Sequence, residues 1–330
     1  MAKRKRQSYY LAFDIGGTKV LAALVTMNFR VAAEKKIKVE PEKGRRIFLK
    51  TIEEAAVELL EDAGVSLKRI KAVGAGCPGI IRNPGGRILL SPNLPFLNGF
   101  ELGRELKKKF GVPVAVENDV NTGLYGEQRF GAAQGKQHVL GIFMGTGVGG
   151  ALILNGKIYH GALGAAGEIG HTYLIPPFMG ISAVRPGTLE GLTGRMAISA
   201  DSGLLLMQQK APHLYEETGY DVRRIKSKSI LRALKAGDKA LGELIGEKAR
   251  YLGLAMANAV NLLNPEMIVL GGGLVEALGA SFVALSRQAM ETFALPPLVR
   301  GVRVVGAKLG DYAIVLGAAG LAESEGKAKS

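Results

Sequence analysis

Residues 9–25, YYLAFDIGGTKVLAALV, join one apolar run to another through Asp14, Ile15, Gly16, Gly17, Thr18 and Lys19. A Walker loop requires Gly-x-x-x-x-Gly-Lys-Ser/Thr, and a dinucleotide fingerprint requires Gly-x-Gly-x-x-Gly opening a helix. Neither spacing is present. Residues 20–25 form a short apolar run that reads as a second buried strand rather than a first helical turn. The turn therefore joins two strands. Gly16 and Gly17 can take backbone angles closed to other residues and let successive N–H groups converge on an anion. Asp14, at the mouth of the turn, could hold a hydrated magnesium ion beside that anion. Two glycines alone would suit an ordinary hairpin. The flanking Asp14 and Thr18 tilt the reading toward phosphate binding.

With 330 residues and 47% hydrophobic content, the chain can bury a large core, and its length suggests two domains. The lone cysteine, Cys77, rules out an internal disulfide and fits a reducing compartment. The basic start MAKRKRQSYYLAFD has too short an apolar run for a signal peptide, and no run approaches membrane-spanning length. A cytoplasmic protein is expected. The net charge of +14 is spread along the chain apart from residues 3–6, with no clustered basic face or recognised nucleic-acid module. Its best functional reading is attraction of anionic phosphate substrates, beside the plainer one of a solvated surface.

The layout of the opening stretch returns at residues 138–156, HVLGIFMGTGVGGALILNG, where Gly145, Thr146 and Gly147 occupy the turn. Two similar halves would bring two Gly/Thr hairpins to opposite sides of a cleft, where both could hold a polyphosphate. A third cluster, Gly271, Gly272 and Gly273, follows a helical segment over residues 239–263 and a short strand. Its bare backbone permits close approach by a flat ring or ribose. Between the two hairpins, residues 49–63 carry a helical apolar stripe that Gly64 can end in a left-handed cap. Strands then follow at IKAVGAG and at VPVAVENDVNTGLYGE, the second carrying Glu117, Asn118 and Asp119 at its carboxyl end. This alternation implies an α/β protein with a parallel or mixed sheet and ligands at its carboxyl edge.

The segments DIGGTK, GCPGIIRNPGGRILLSPNLP, VENDVNTGLYGE, GTGVGGALILNGKIYHGALGAAGEIGH, LEGLTG and NPEMIVLGGGL, in this order, closely resemble the sugar kinases of the ROK group. The resemblance runs across nearly the whole chain. It implies two actin-like (ribonuclease H-like) α/β domains flanking a cleft. The first would span residues 1–121, with a C-terminal helix at about 311–330 packing back on it, and the second residues 122–310. The implied reaction moves a phosphoryl group from ATP, with Mg2+, to a hexose hydroxyl.

Carried over by resemblance, Asp119 is the general base for the sugar's 6-hydroxyl, and Asn118 binds neighbouring hydroxyls. Gly79 and Asn93 line the sugar pocket from the first domain, and Glu168, His171 and Glu190 from the second. A helix-capping role for Asp119 is the plain alternative. Asp14, Gly16, Gly17, Thr18, Lys19, Gly145, Thr146, Gly147, Gly271, Gly272 and Gly273 serve the nucleotide, with Asp14 holding magnesium through water.

The family usually carries three cysteines after the Glu-x-Gly-His segment, which bind structural zinc with the histidine. Here an ungapped match puts Ile181, Ala183 and Thr188 at those positions and keeps Gly187 and Glu190, so no zinc site is expected. Prolines and an apolar plug (Pro176, Pro177, Pro186, Leu174, Ile175, Phe178, Met179, Ile181 and Val184) would hold the loop instead. Glucose is the first choice of acceptor. Fructose, N-acetylmannosamine, N-acetylglucosamine and a polyphosphate donor are the alternatives within kinase chemistry. A sugar-sensing regulator is the alternative of another class, disfavoured because 13 residues precede Asp14, too few for a helix-turn-helix domain. No specific nucleic-acid or membrane partner is expected, and related kinases suggest a homodimer or homotetramer.

Overall fold

The computed structural model describes residues 7–176 and 187–327. Its contacts divide the chain into two compact units. The first comprises residues up to Gly135, Ile158–Ala166 and the chain from Asp311 onward; the second comprises Lys136–Lys157 and Gly167–Gly310.

The first unit runs β1 (Tyr9–Ile15), β2 (Lys19–Thr26), β3 (Val31–Lys38), α1 (Gly44–Ala63), β4 (Ile70–Cys77), β5 (Ile80–Arg82), β6 (Arg87–Leu90), α2 (Leu102–Phe110), β7 (Val114–Asn118) and α3 (Asp119–Phe130). The second contains β8 (Val139–Met144), β9 (Val148–Leu154), β10 (Lys157–Ile158, its last residue counted with the first unit), α4 (Leu189–Thr193), α5 (Arg195–Met207), α6 (Pro212–Thr218), α7 (Ser227–Ala236), α8 (Lys239–Leu263), β11 (Met267–Gly271), α9 (Gly273–Phe293), α10 (Pro296–Val299) and β12 (Arg303–Gly306). The closing helix α11 (Ala313–Lys327) belongs to the first unit.

Each unit is built on a five-stranded mixed sheet, and the two sheets share one plan. The orders are β3-β2-β1-β4-β7 and β10-β9-β8-β11-β12. In each, a hairpin opens the sheet (β1 antiparallel to β2, β8 antiparallel to β9) and parallel strands extend it (β1 to β4 to β7, β8 to β11 to β12). The sequence echo is thus a repeat of topology. Burial explains the strand chemistry: β11 is buried along its whole length and reads as a continuous apolar run, whereas the edge strand β3 alternates between half-buried and exposed residues. Leu11, Phe13, Leu24, Ile52 and Leu59 anchor the first core, and Leu140, Ile142, Ile268, Leu270 and Phe282 the second.

α1 ends as its sequence demands, with Gly64 in the left-handed conformation at φ 63° donating its N–H to the Glu61 carbonyl at 3.0 Å. The contact division and the boundary expected at residue 121 differ by one helix. α3 packs along α11, so the first unit runs on to Gly135. The return of residues 158–166 to that unit leaves no mark on hydrophobic pattern. No helix among the described residues is long and apolar enough to cross a membrane.

Candidate active site

Parallel pairing brings the chemistry of the first unit to one sheet edge. Asp14 pairs with Gly76 and Cys77 with Asn118, so the carboxyl ends of β1, β4 and β7 lie side by side. From them emerge the Gly16–Thr18 turn, Gly79 and the Asn118–Asp119 corner. In the turn, the Gly16 N–H donates to the Lys19 carbonyl at 2.9 Å, and the Thr18 carbonyl accepts from the Val39 N–H at 3.0 Å. The N–H groups of Gly17 and Thr18 have no partner among the described residues. Two open donors at a strand end are the kind of group an anion would engage.

The glycines earn their place differently from the expectation. Neither Gly16 nor Gly17 has a positive φ. Instead, a Cβ on Gly16 would lie 3.1 Å from the Lys19 carbonyl oxygen, and one on Gly17 would lie 4.0 Å from the carbonyl oxygen of Asn93. Room for the backbone is what Gly16 supplies here, whereas the distance at Gly17 is an ordinary contact; neither supplies left-handed angles. The Gly17 contact also brings Asn93 to the turn.

At the end of β7, Asn118 caps α3: its Oδ1 accepts from the N–H groups of Val120 at 2.8 Å and Asn121 at 3.0 Å. Its Nδ2 donates to the Gly79 carbonyl at 3.0 Å, joining those two predicted residues. The capping role thus falls to Asn118, while Asp119 takes the first helical position and its Oδ1 accepts from the Val120 N–H at 3.0 Å.

Asp14 is pushed up to about 6, chiefly by burial and then by the negative charges of Asp119 and Asp311, against which Lys19 pulls it down. A partly buried carboxylate held beside other carboxylates is a site that a divalent cation would relieve, so Asp14 fits the magnesium role. Cys77, fully buried in β4, has its thiol pushed up by burial and by the same two acids, Asp119 and Asp14. It is an inert core residue.

Glu117, read from sequence at the end of this strand, and His160 were given no role in the expected site. Glu117 is only 4% exposed, yet its carboxylate accepts from four donors: Oε1 from the Asn118 N–H at 2.8 Å and Asn121 Nδ2 at 3.0 Å, and Oε2 from Asn83 Nδ2 at 3.0 Å and His160 Nε2 at 2.7 Å. A buried carboxylate with all its lone-pair directions engaged is a rigid hub. It fixes the strand end that carries Asn118 and Asp119. The hydrogen bond to Glu117 raises the His160 pKa above the ordinary histidine value.

In the second unit, Gly271 pairs with Phe143, which sets the third glycine cluster beside the strand leading into the second Gly/Thr turn. Gly272, at φ 88°, packs so tightly that a Cβ would lie 2.8 Å from the Met144 nitrogen; Gly273 opens α9 with free space around it. In the turn, Gly145 donates its N–H to the Gly147 carbonyl at 2.9 Å, and the Val148 N–H donates to Glu190 Oε2 at 2.9 Å. Glu190 is therefore bound to the second turn. Glu168 and His171 also meet, with 3.7 Å between Oε2 and Nε2, and both side chains are more than half exposed.

The segment after His171 contains no cysteine. Its two ends are zipped together: Leu174 donates its N–H to the Gly187 carbonyl at 2.7 Å, Leu189 donates to the Thr172 carbonyl at 3.0 Å, and Tyr173 bridges to Thr188. Ile181, Ala183, Pro177, Phe178, Met179, Val184 and Pro186 lie outside the described residues. Leu174 packs against the core of the second unit.

A duplicated sheet plan, with a Gly/Thr turn in each unit and a carboxylate corner beside the first, defines a sugar kinase of the actin-like class. A family model described as ROK family matches residues 10–325, and the chain belongs to that family. A glucokinase from Halalkalibacterium halodurans is 32% identical over 321 residues, 96% of each chain. A xylose repressor from Caldicellulosiruptor bescii is 30% identical over 289 residues, which cover 88% of this chain and 70% of the repressor. The crystal structure of a ROK family glucokinase from Streptomyces griseus in complex with glucose and AMPPNP matches at a TM-score of 0.81 and 29% identity, covering 96% of this chain and 100% of its own.

Proposed function

We propose that this protein is an ATP-dependent glucokinase that phosphorylates the 6-hydroxyl of glucose. The observation that carries this reading is the corner at the end of β7. There Asn118 takes the helix cap, and Asp119 stands on the same sheet edge as Asp14 and the open N–H groups of the first turn. In this account the Asp119 carboxylate takes the proton of the attacking hydroxyl, which needs a base held in position more than one of unusual strength. Asn118 and Asn93 orient the sugar from the same unit, and Glu168, His171 and Glu190 contribute from the second. Gly17 and Thr18 N–H groups bind donor phosphate, and Asp14 holds a hydrated magnesium ion. Magnesium supplies neutralisation of charge on the transferring phosphoryl group.

Glucose as acceptor and ATP as donor draw support from the relatives named as glucokinases and from the glucose and AMPPNP complex of the Streptomyces griseus protein. Zinc takes no part in this reading: the chain's one cysteine is buried in β4, and the carboxylate that meets His171 is that of Glu168. A cytoplasmic homo-oligomer completes the reading.

An assay coupling ADP release to a panel of glucose, fructose, N-acetylmannosamine and N-acetylglucosamine tests it, repeated with polyphosphate as donor. Highest kcat/KM for glucose with ATP is the expected outcome. Preference for another hexose or for polyphosphate would replace the substrate named here. No ADP release with any sugar would favour the regulatory branch to which the xylose repressor belongs.

A further inference from the structure

We infer that Arg195 is a donor-phosphate-binding residue acting with the second Gly/Thr turn, an assignment that rests on the kinase reading above. Arg195 opens α5, and that helix start lies directly on the turn. A Cβ on Gly194 would be 3.3 Å from the Thr146 carbonyl oxygen and 3.4 Å from the Gly147 Cα. The Arg195 N–H donates to the Gly145 carbonyl at 3.2 Å, and the Met196 N–H donates to the Thr146 carbonyl at 3.3 Å. Two main-chain bonds therefore already fasten α5 to the turn, and the Arg195 side chain is not needed for the joint.

That side chain nevertheless reaches the turn: Nη2 donates to Thr146 Oγ1 at 2.9 Å. The consequence is chemical. A hydroxyl that accepts from a guanidinium keeps its own proton to give to another acceptor. Arg195 has further N–H donors, and no carboxylate among the described residues pairs with it. The N–H groups of Thr146 and Gly147 likewise have no partner among the described residues, since the turn's other two donors are spent on the Gly147 carbonyl and Glu190.

Beside the Glu190 carboxylate, which Val148 engages, what remains unspent on the turn is a set of donors: two main-chain N–H groups, a hydroxyl and a guanidinium. A sugar or a purine offers donors as well as acceptors and would leave such a set poorly matched. A phosphate offers acceptors alone, and a guanidinium fork suits its oxygens better than an ammonium does. Thr146, aligned by Arg195, and Arg195 itself would grip the same phosphate group.

Isothermal titration with Mg2+-AMPPNP and with adenosine, on the full chain and on Arg195→Met and Arg195→Lys, tests the assignment. Arg195→Met should weaken AMPPNP about tenfold to a hundredfold, the loss of a charge-assisted hydrogen bond. Adenosine affinity should hold within about threefold, which also reports that the variant is folded. Arg195→Lys should recover part of the loss because it keeps the charge. In turnover, KM for ATP should rise while KM for glucose stays. Equal losses for AMPPNP and adenosine, or no loss for either, would overturn the assignment. A wild-type protein that binds neither probe would remove the donor reading itself, and this assignment with it.

Discussion

His160 Nε2 lies 2.7 Å from Glu117 Oε2, joining a segment that returns to the first unit to the buried carboxylate behind Asp119. The pair makes stability depend on pH. The folded pKa of His160 is raised above the ordinary 6.5 by the hydrogen bond to Glu117. Its contribution is complete below 6.5 and is lost as pH rises through the raised value. His160→Gln keeps a donor for Glu117 and does not titrate. The midpoint of thermal unfolding of the wild type, relative to this variant, should therefore fall from about pH 6.5 upward. A difference that stays constant across the range would show that the pair is not charged.

Asp14 gives a second dependence, linked to the metal. Its folded pKa of about 6 stands above the ordinary 3.8. The protonated form is thus favoured by folding; that stability is fully present below 3.8 and lost as pH rises through about 6. Above that point the ionised group costs about 3 kcal/mol in the absence of magnesium. Asp14→Asn should unfold at higher temperature than the wild type near neutral pH without magnesium, with no gain near pH 4. The same variant should lose magnesium-nucleotide use while keeping glucose binding. A variant less stable at neutral pH, or one equally impaired toward both ligands, would contradict the assignment.

Much of this architecture was legible in residues 9–25 and their echo, because strand, glycine turn and strand are contiguous features whose apolar runs can be read directly. The Asn118–Asp119 corner was legible for the same reason, although which of the two caps the helix depended on side-chain geometry. Glu117 and His160 are far apart in the chain, and no periodicity announces that a buried carboxylate will collect Asn83, Asn121 and His160. Arg195 was hidden likewise, since its link to Thr146 exists only once Gly194 lets α5 settle on the turn. The left-handed angles expected at Gly16 and Gly17 failed on a local point: Gly16 is held to glycine by space, and the packing around Gly17 sets no such demand.

Glu190 offers a test of which ligand its carboxylate serves. Glu190 Oε2 accepts from the Val148 N–H, so Glu190→Ala should loosen the second turn and raise KM for ATP as well as for glucose. Glu190→Gln retains a carbonyl acceptor and should raise KM for glucose alone. If both variants leave KM for ATP unchanged, the carboxylate does not brace the turn.

Zinc independence follows from the residues that flank His171. A structural zinc site takes four nitrogen or sulfur ligands, and the region after His171 provides no thiolate. Elemental analysis of purified protein should find zinc well below stoichiometric, and chelator treatment followed by added magnesium should restore full activity. Stoichiometric zinc, or activity that only zinc restores, would refute this.

The measurement that bears most directly on the account is turnover of Asp119→Ala with saturating glucose and ATP, paired with glucose binding by the same variant. Because a general base acts mainly in the transition state, kcat should fall by roughly 10²–10⁴-fold while glucose still binds, at reduced strength. Near-normal turnover in this variant would remove Asp119 from the chemistry and contradict the proposed mechanism.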